Sequence, residues 1–147
     1  MTGPVFVDTN ILVYARDADE PAKQARAAAV LRVLWESRLG RVSHQVLQEY
    51  YVTVTRKLKP GLPKADARDD IAALLAWRPL APSGSTQSKA WELEDRCGFS
   101  WWDSLIVASA LENRCTLLLS EDLQDGRLID GLRIQNPFNP AFDLAMR

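Results

Sequence analysis

Four acidic residues of this 147-residue chain stand where they could share a metal ion: Asp8, Glu49, Asp103 and Asp122. Magnesium prefers oxygen ligands and is commonly held by one or two carboxylates, with water completing its coordination. An ion bound in this way lowers the pKa of a water molecule, orients a phosphodiester and neutralises charge on the leaving oxygen. These residues therefore predict hydrolysis of a phosphate ester without a side-chain nucleophile, provided that the fold brings them together.

Two of the acids follow predicted buried strands. The apolar run Val5 to Val7 stops at Asp8, and the run Thr116 to Leu119 is followed by Ser120, Glu121 and Asp122. Polar residues after a short apolar run are typical of a strand that ends in a turn or a helix cap. The carboxyl ends of parallel strands all face the same crevice, so we expect Asp8 and Asp122 to lie in it.

The other two acids lie near the amino ends of predicted helices. Ser43 is the expected N-cap of the helix that carries Glu49, and Ser100 is the expected N-cap of the helix that carries Asp103. A helix that connects parallel strands runs antiparallel to them, so its amino end lies at their carboxyl edge. All four acids should then converge on one edge of the sheet.

Each acid also has an ordinary structural interpretation when it is considered alone. Asp8 could be only a turn or cap residue and Asp103 part of a capping box, while Glu49 and Asp122 could be solvated surface acids. The spacing of Asp103 with Ile106 argues against a solvated position, because it places the carboxylate on the apolar face of its helix. The functional interpretation depends on the convergence of all four.

The predicted elements alternate between strand and helix over the whole chain. Strands are expected near residues 5–7, 41–43, 78–81, 116–119 and 132–135, and helices over residues 11–15, 21–39, 44–58, 64–77, 85–97 and 101–113. Such alternation predicts an α/β fold with a mostly parallel sheet between layers of helices. We expect a single domain over residues 1–147.

Composition limits the classes of protein that remain. No apolar stretch approaches the roughly 20 residues that a membrane span needs, and the amino terminus lacks a signal-peptide pattern, so a cytoplasmic location is expected. Cys97 and Cys115 lack metal-ligand spacing and are expected to be reduced and packed.

With a net charge of −1 and a pI near 5.8, the chain has no globally basic surface. A polyanion must therefore be held by metal and by local cations, and Arg56 is the candidate phosphate contact because it lies seven residues after Glu49, on the same helical face.

Four segments resemble the acidic motifs of a known family: Phe6 to Ala15, Ser43 to Glu49, Trp102 to Ala110 and Leu118 to Leu123. They are similar to the motifs of PIN-domain ribonucleases, and most closely to those of the small VapC-type toxins of toxin–antitoxin pairs. The resemblance extends from Val5 to Pro137, and none of the four acids departs from the pattern. It implies a PIN-like three-layer α/β/α fold with a central, mostly parallel sheet of about five strands.

The resemblance also implies a function. By that resemblance the chain is a Mg²⁺- or Mn²⁺-dependent endoribonuclease that acts on RNA, with an antitoxin as partner and a homodimer as its assembly. The implied metal-binding and catalytic residues are Asp8, Glu49, Asp103 and Asp122. The implied supporting residues are Thr9 or Asn10, Ser120 and, as a further neighbour, Asp125.

Other functions of α/β proteins fit the sequence less well. A haloacid-dehalogenase-like phosphatase needs a second Asp where this chain has Asn10, and a receiver domain needs a phosphoacceptor Asp where it has Pro82 to Gly84. Dinucleotide binding requires a glycine fingerprint that is absent from Thr9 to Ala15. The alternative of another class is a non-catalytic PIN-like module that binds RNA or protein.

Overall fold

The computed structural model describes residues 3–146 and contains a five-stranded sheet. Its strands are β1 (Val5–Val7), β2 (Gly40–Arg41), β3 (Leu117–Leu119), β4 (Leu128–Ile129) and β5 (Leu132–Gln135). They lie in the order β2-β1-β3-β5-β4, and every neighbouring pair is parallel except β4 with β5. The prediction of a mostly parallel sheet of about five strands is confirmed.

Six α-helices surround this sheet within the described residues: α1 (Thr9–Tyr14), α2 (Pro21–Ser37), α3 (His44–Val52), α4 (Lys64–Leu74), α5 (Gly84–Cys97) and α6 (Trp101–Glu112). The predicted caps form, since the Ser43 and Ser100 hydroxyls accept hydrogen bonds from the amides of Val46 and Asp103. A π-helical turn, Thr53–Lys57, continues α3, and a 3-10 turn, Leu75–Trp77, continues α4. None of these helices is long and apolar enough to cross a membrane.

The edges of the sheet differ from the sequence-based prediction. The strand expected over residues 78–81 is reduced to a single bridge between Leu80 and Ser43. Arg78 has left-handed backbone angles at one end of that segment, and Pro82 lacks an amide donor at the other, so a longer ladder cannot form. The two-residue strand β4 was not expected. It pairs with β5 across a tight turn at Asp130 and Gly131, both of which have positive φ.

The centre of the sheet is buried on both faces. All residues of β1 and β3 are buried, as is typical of parallel strands covered by helices on each side. The buried face of α6 packs into the same core through Ile106, Val107 and Ala110. This core holds the carboxyl ends of β1 and β3 side by side, and polar residues follow both strands there.

Candidate functional site

An acidic cavity of about 710 Å³ opens at the carboxyl edge of the sheet. Asp8, Glu49, Asp103 and Asp122 all line it, together with Thr9 and Asn10. Asp8 follows β1, Asp122 follows β3, and Glu49 and Asp103 are supplied by α3 and α6. The structure therefore brings together the four acids that the sequence singled out, by the connections predicted for them.

Asp8 is the most buried of the four acids. It is the N-cap of α1, where its Oδ1 accepts a hydrogen bond from the Thr9 amide at 2.7 Å. The Ser120 hydroxyl donates to its Oδ2 at 2.8 Å and itself accepts from the amide of Asp122 at 3.2 Å. Burial, together with the nearby Glu49 and Asp103 carboxylates, raises the pKa of Asp8 to about 6, against the lowering effect of the hydrogen bonds from Ser120 and the Thr9 amide. A cation bound in the cavity would therefore stabilise the ionised form of Asp8.

The Asn10 side chain connects the loops that follow β1 and β3. Its Nδ2 donates to Asp122 Oδ2 at 3.1 Å and lies 3.5 Å from Asp8 Oδ2, while its Oδ1 accepts from the Glu121 amide at 3.2 Å. An amide can make these contacts at once because it carries both donors and an acceptor. Asn10 therefore holds the Asp122 loop against Asp8.

Both carboxylate oxygens of Glu49 accept hydrogen bonds from neutral donors. The Thr9 hydroxyl donates to Oε2 at 2.8 Å, and Gln45 Nε2 donates to Oε1 at 2.8 Å. The first contact ties α1 to α3, and the second is an i,i+4 pair within α3. Gln45 was missed by the sequence analysis, although its spacing of four residues from Glu49 was a usable signal. These donors orient Glu49 toward the cavity without neutralising its charge.

Asp103 and Asp122 lie closer to solvent than Asp8. Asp103 is half-buried, and desolvation raises its pKa, as do the negative charges of Asp122 and Glu49. Asp122 is exposed, and its carboxylate accepts the hydrogen bond from Asn10. The negative charges of Glu49, Asp103 and Asp122 thus act on the pKa of Asp8 or of Asp103, which places the four carboxylates in one electrostatic environment.

The donor set fits a hard divalent cation that keeps much of its water. Carboxylate oxygens are the preferred protein ligands of Mg²⁺ and Mn²⁺. Within residues 3–146, however, no three acidic, histidine or cysteine side chains are close enough together to form a ready-made cage. Mg²⁺ is usually held through one or two carboxylates, with water and substrate oxygens completing its octahedron, and this arrangement can supply that. The geometry fits such an ion and not a fully protein-ligated one.

One wall of the cavity is apolar and carries an exposed aromatic side chain. Trp102, which precedes Asp103 on α6, lines the cavity with 63% of its surface exposed. Val52 and Ile106 lie on the same lining. Trp101, by contrast, packs against Trp91 with ring centroids 6.4 Å apart. Of the two consecutive tryptophans, it is Trp102 that faces the cavity.

Lys57 lines the acidic cavity, whereas Arg56 does not. The expectation for Arg56 assumed a regular α-helix of 3.6 residues per turn from Glu49 onward. Residues Thr53–Lys57 instead form a π-helical turn, which is wider and delays the return of a side chain to the same face. This shift brings Lys57 onto the cavity wall, one residue later than the helical wheel predicts.

Two other acids near the cavity have structural partners. Asp125, expected as a further neighbour of the site, does not line the cavity and accepts hydrogen bonds from the Asn136 amide and the Asn139 side chain. Glu121 accepts hydrogen bonds from Tyr14 at 2.7 Å and from Lys23 at 2.5 Å. The hydrogen bonds from Tyr14 and Lys23 lower the pKa of Glu121 against its partial burial, so this carboxylate is already neutralised by the protein.

Comparisons with known proteins agree with this arrangement. A family model described as the PIN domain matches residues 5–125, which include all four acids. A search of curated protein sequences gave no significant match.

Two solved structures share the fold at low sequence identity. One, a chain of a toxin–antitoxin complex from Klebsiella pneumoniae, is 18% identical with a TM-score of 0.62, over 90% of this chain and 97% of that one. The other is VapC20 from Mycobacterium tuberculosis, a toxin that cleaves the sarcin–ricin loop. It is 21% identical with a TM-score of 0.57, over 80% of this chain and 91% of that one. At these identities the likeness shows the fold alone.

Proposed function

Because the chain belongs to the PIN-domain family, we propose that it is a metal-dependent endoribonuclease and the toxin of a toxin–antitoxin pair. The observation that carries the proposal is the convergence of Asp8, Glu49, Asp103 and Asp122 on one cavity. The fold shared with a toxin that cleaves the sarcin–ricin loop supports RNA as the substrate. We further propose that residues 1–147 form one such domain.

The proposed chemistry is hydrolysis of a phosphodiester. The residues that would hold Mg²⁺ or Mn²⁺ are Asp8, Glu49, Asp103 and Asp122, and the bound ion supplies an activated water and charge neutralisation at the phosphate. The protein side chains orient the ligands: Ser120 holds Asp8, Asn10 holds Asp122, and Thr9 with Gln45 holds Glu49. Such supporting hydrogen bonds fix the geometry and the charge of a metal ligand.

The cavity walls are suited to RNA in two further ways. An exposed indole such as that of Trp102 offers a face on which an unstacked base can lie, and a lysine such as Lys57 can contact a neighbouring phosphate. Both groups lie beside acids that would otherwise repel the RNA backbone. We therefore propose that the substrate presents unpaired nucleotides at the cleavage position.

Replacing Lys57 tests which cation contacts the substrate. We expect Lys57→Ala to raise the KM for RNA several-fold and to lower the salt dependence of binding, because one phosphate contact is lost. Arg56→Ala is the matched control, since it removes the same charge from the adjacent position outside the cavity. The measurement is steady-state cleavage at several salt concentrations. An equal effect of the two substitutions would show that Lys57 acts only through the general charge of the surface.

The proposal includes partners and a location. A toxin of this kind requires an antitoxin, and we propose that an antitoxin segment covers the acidic cavity, in keeping with the toxin–antitoxin complex among the structural neighbours. A homodimer and a cytoplasmic location are further parts of the proposal. Size-exclusion chromatography with light scattering would measure the oligomeric state of the purified chain.

The second candidate function is a non-catalytic PIN-like module that binds RNA or protein. It is favoured by one observation, namely that no three of the described acidic side chains form a preformed metal cage. The two candidates differ in one measurable property, because only the nuclease breaks phosphodiester bonds.

Purified protein, freed of any co-expressed partner, should be incubated with total bacterial RNA in Mn²⁺, in Mg²⁺ and in chelator. We expect discrete fragments with either metal and intact RNA in chelator, and mapping of the fragment ends would identify the cleaved RNA. Double-stranded and single-stranded DNA of matched sequence serve as controls for the sugar. Intact RNA under every condition would favour the binding module.

A further inference from the structure

A second cavity lies outside the acidic one and is lined by basic and aromatic side chains. It has a volume of about 510 Å³ and is bounded by Trp35, Arg38, Arg41, Ala76, Trp77 and Arg78. We refer to this cavity as the arginine pocket. Its residues come from the end of α2, from β2 and from the 3-10 turn after α4. None of them belongs to the acidic cavity.

The three arginines of this pocket have no carboxylate partner in the described part of the chain. The ion pairs among residues 3–146 involve Arg16, Lys23, Lys89 and Arg96, and none involves Arg38, Arg41 or Arg78. Arg41 is fixed in place, because its Nη1 donates to the carbonyls of Arg38 at 3.1 Å and Gly40 at 2.8 Å. Its remaining guanidinium donors are left for another acceptor.

The backbone at two of these arginines is unfavourable for a side chain. Arg38 and Arg78 have φ values of 61° and 51°, in the left-handed region. Both follow the end of a helical segment, where glycine is the preferred residue because it has no Cβ to clash. Arginine at both positions lowers the stability of the fold and places two guanidinium groups at one pocket.

Two tryptophans complete the pocket. The Trp77 ring lies directly on Gly40, where an added Cβ would come within 2.5 Å of the ring, so the absence of a side chain at Gly40 permits this packing. Trp35 packs beside it with ring centroids 5.8 Å apart and keeps 47% of its surface exposed. The pocket thus combines an exposed aromatic face with three guanidinium groups.

From these observations we infer that the arginine pocket is a second binding site for single-stranded RNA, which takes one nucleotide unit of the substrate outside the acidic cavity. Guanidinium groups bind phosphate through paired hydrogen bonds, and an exposed indole stacks on a base of any sequence. An acidic peptide could use the arginines but has no planar base for Trp35. The inference rests on the proposed ribonuclease function.

The position of the pocket suits a substrate that also enters the acidic cavity. β2 leaves the pocket at Gly40 and leads to Ser43, the cap of the helix that carries Glu49. Arg41 and Ser43 are about 7 Å apart along the strand. The pocket lies at the amino edge of the sheet and the four acids lie at its carboxyl edge, so the strands, which are only two to four residues long, separate the two sites. A stacked RNA of about 12 nucleotides is about 40 Å long, several times the length of such strands, and can therefore reach from one edge to the other. The second contact would raise the effective concentration of RNA at the four acids, whose charge repels it.

The test uses the full-length protein in chelator, where binding is measured without cleavage. The probe is a fluorescein-labelled single-stranded RNA of about 12 nucleotides and mixed sequence, followed by anisotropy. We expect Arg38→Gly and Arg78→Gly each to weaken binding about 10-fold and to reduce the salt slope by about one. The melting temperature should stay equal or rise, because glycine accepts the left-handed backbone more readily.

Arg114→Gly is the matched control for these substitutions. Arg114 is also exposed, has a φ of 56° and lies outside the arginine pocket. The Arg114→Gly substitution removes the same charge and the same left-handed side chain, and we expect it to leave RNA binding unchanged. Trp35→Ala should weaken binding, and Trp91→Ala should not, although Trp91 is similarly exposed at 51% and is likewise packed against a second tryptophan.

Several outcomes would overturn the inference. They are equal RNA binding by all variants, equal losses for Arg114→Gly and Arg38→Gly, tighter binding of labelled poly-glutamate than of RNA, and no RNA binding by the wild-type protein in chelator. Cleavage of RNA in Mn²⁺ is measured in parallel. If the wild type cleaves and the Arg78→Gly variant keeps its KM, the proposed function stands and the second site falls. If the wild type binds RNA through the arginine pocket but does not cleave it, the second site stands and the proposed ribonuclease function falls.

Discussion

Replacement of Asp103 with Asn is expected to reduce RNA cleavage by at least about 100-fold, with little effect on the fold. Asp103 is a candidate ligand on the rigid helix α6, and its backbone amide, not its carboxylate, donates the capping hydrogen bond to the Ser100 hydroxyl. Asn keeps the shape of the side chain but loses the negative charge that attracts a divalent cation. The measurement is the rate of RNA cleavage at saturating Mn²⁺.

The matched control for this prediction is Asp95→Asn. Asp95 is an exposed acid on α5 outside the acidic cavity, and its replacement changes the net charge by the same amount. Its cleavage rate should equal that of the wild type. If the Asp103→Asn and Asp95→Asn proteins cleave alike, the observed activity comes from a contaminant or from another site, and the proposed mechanism is wrong.

The protein without metal is expected to lose stability as the pH rises through the titration of Asp8. Burial raises the folded-state pKa of Asp8 to about 6 from its ordinary value of 3.8, so the folded state holds this proton more tightly than the unfolded state does. The stability that the proton confers is present at low pH and is lost between about pH 4 and pH 6. The difference between the ordinary pKa of 3.8 and the folded-state pKa of about 6 corresponds to about 3 kcal/mol of free energy of unfolding.

The contribution of Asp8 can be isolated with Asp8→Asn. Asn is an equally good N-cap for α1, and it has no charge to desolvate. In chelator, we expect the wild type to lose roughly half of the 3 kcal/mol relative to this variant between about pH 5 and pH 7. Urea unfolding at each pH measures the difference. Parallel pH profiles of the two proteins would show that the Asp8 carboxylate is not destabilised by burial.

A bound metal ion should offset the loss of stability that the buried, ionised carboxylates cause in the metal-free protein. We expect Mn²⁺ to stabilise the wild type most at neutral pH, where Asp8 is ionised, and to stabilise Asp103→Asn less. In chelator, Asp103→Asn should melt at a higher temperature than the wild type, because desolvation and two neighbouring carboxylates raise the pKa of Asp103. A lower melting temperature in chelator, combined with a full response to Mn²⁺, would contradict this account.

The main elements of the fold were predictable because local signals agree with the tertiary structure. The apolar runs of β1 and β3 end at turn-forming residues, and the caps at Ser43 and Ser100 mark where α3 and α6 begin. Parallel connectivity then places the amino ends of these helices beside the carboxyl ends of the strands. The placement of the four acids around one cavity follows from this topology.

Two side chains named from the sequence, Arg56 and Asp125, lie outside the acidic cavity, and at both the local geometry departs from regular elements. The helical wheel from Glu49 assumes an α-helix, and the π-helical turn moves Lys57 onto the cavity wall instead of Arg56. Asp125 is close to Asp122 in the chain but is held by Asn136 and Asn139 outside the cavity. Neither a π-helical turn nor the direction of a loop side chain leaves a periodic signal in the sequence.

Residue type and chain direction were enough to predict the strand–helix alternation, the sheet edge at which the acids lie and the class of chemistry that carboxylates at that edge can perform. The folded structure was needed to show which neutral donors hold each carboxylate, that Trp102 faces the acidic cavity, and that Arg38, Arg41 and Arg78 meet in a second cavity. Those contacts join residues far apart in the chain, and their formation depends on side-chain packing and on backbone angles that no single segment encodes.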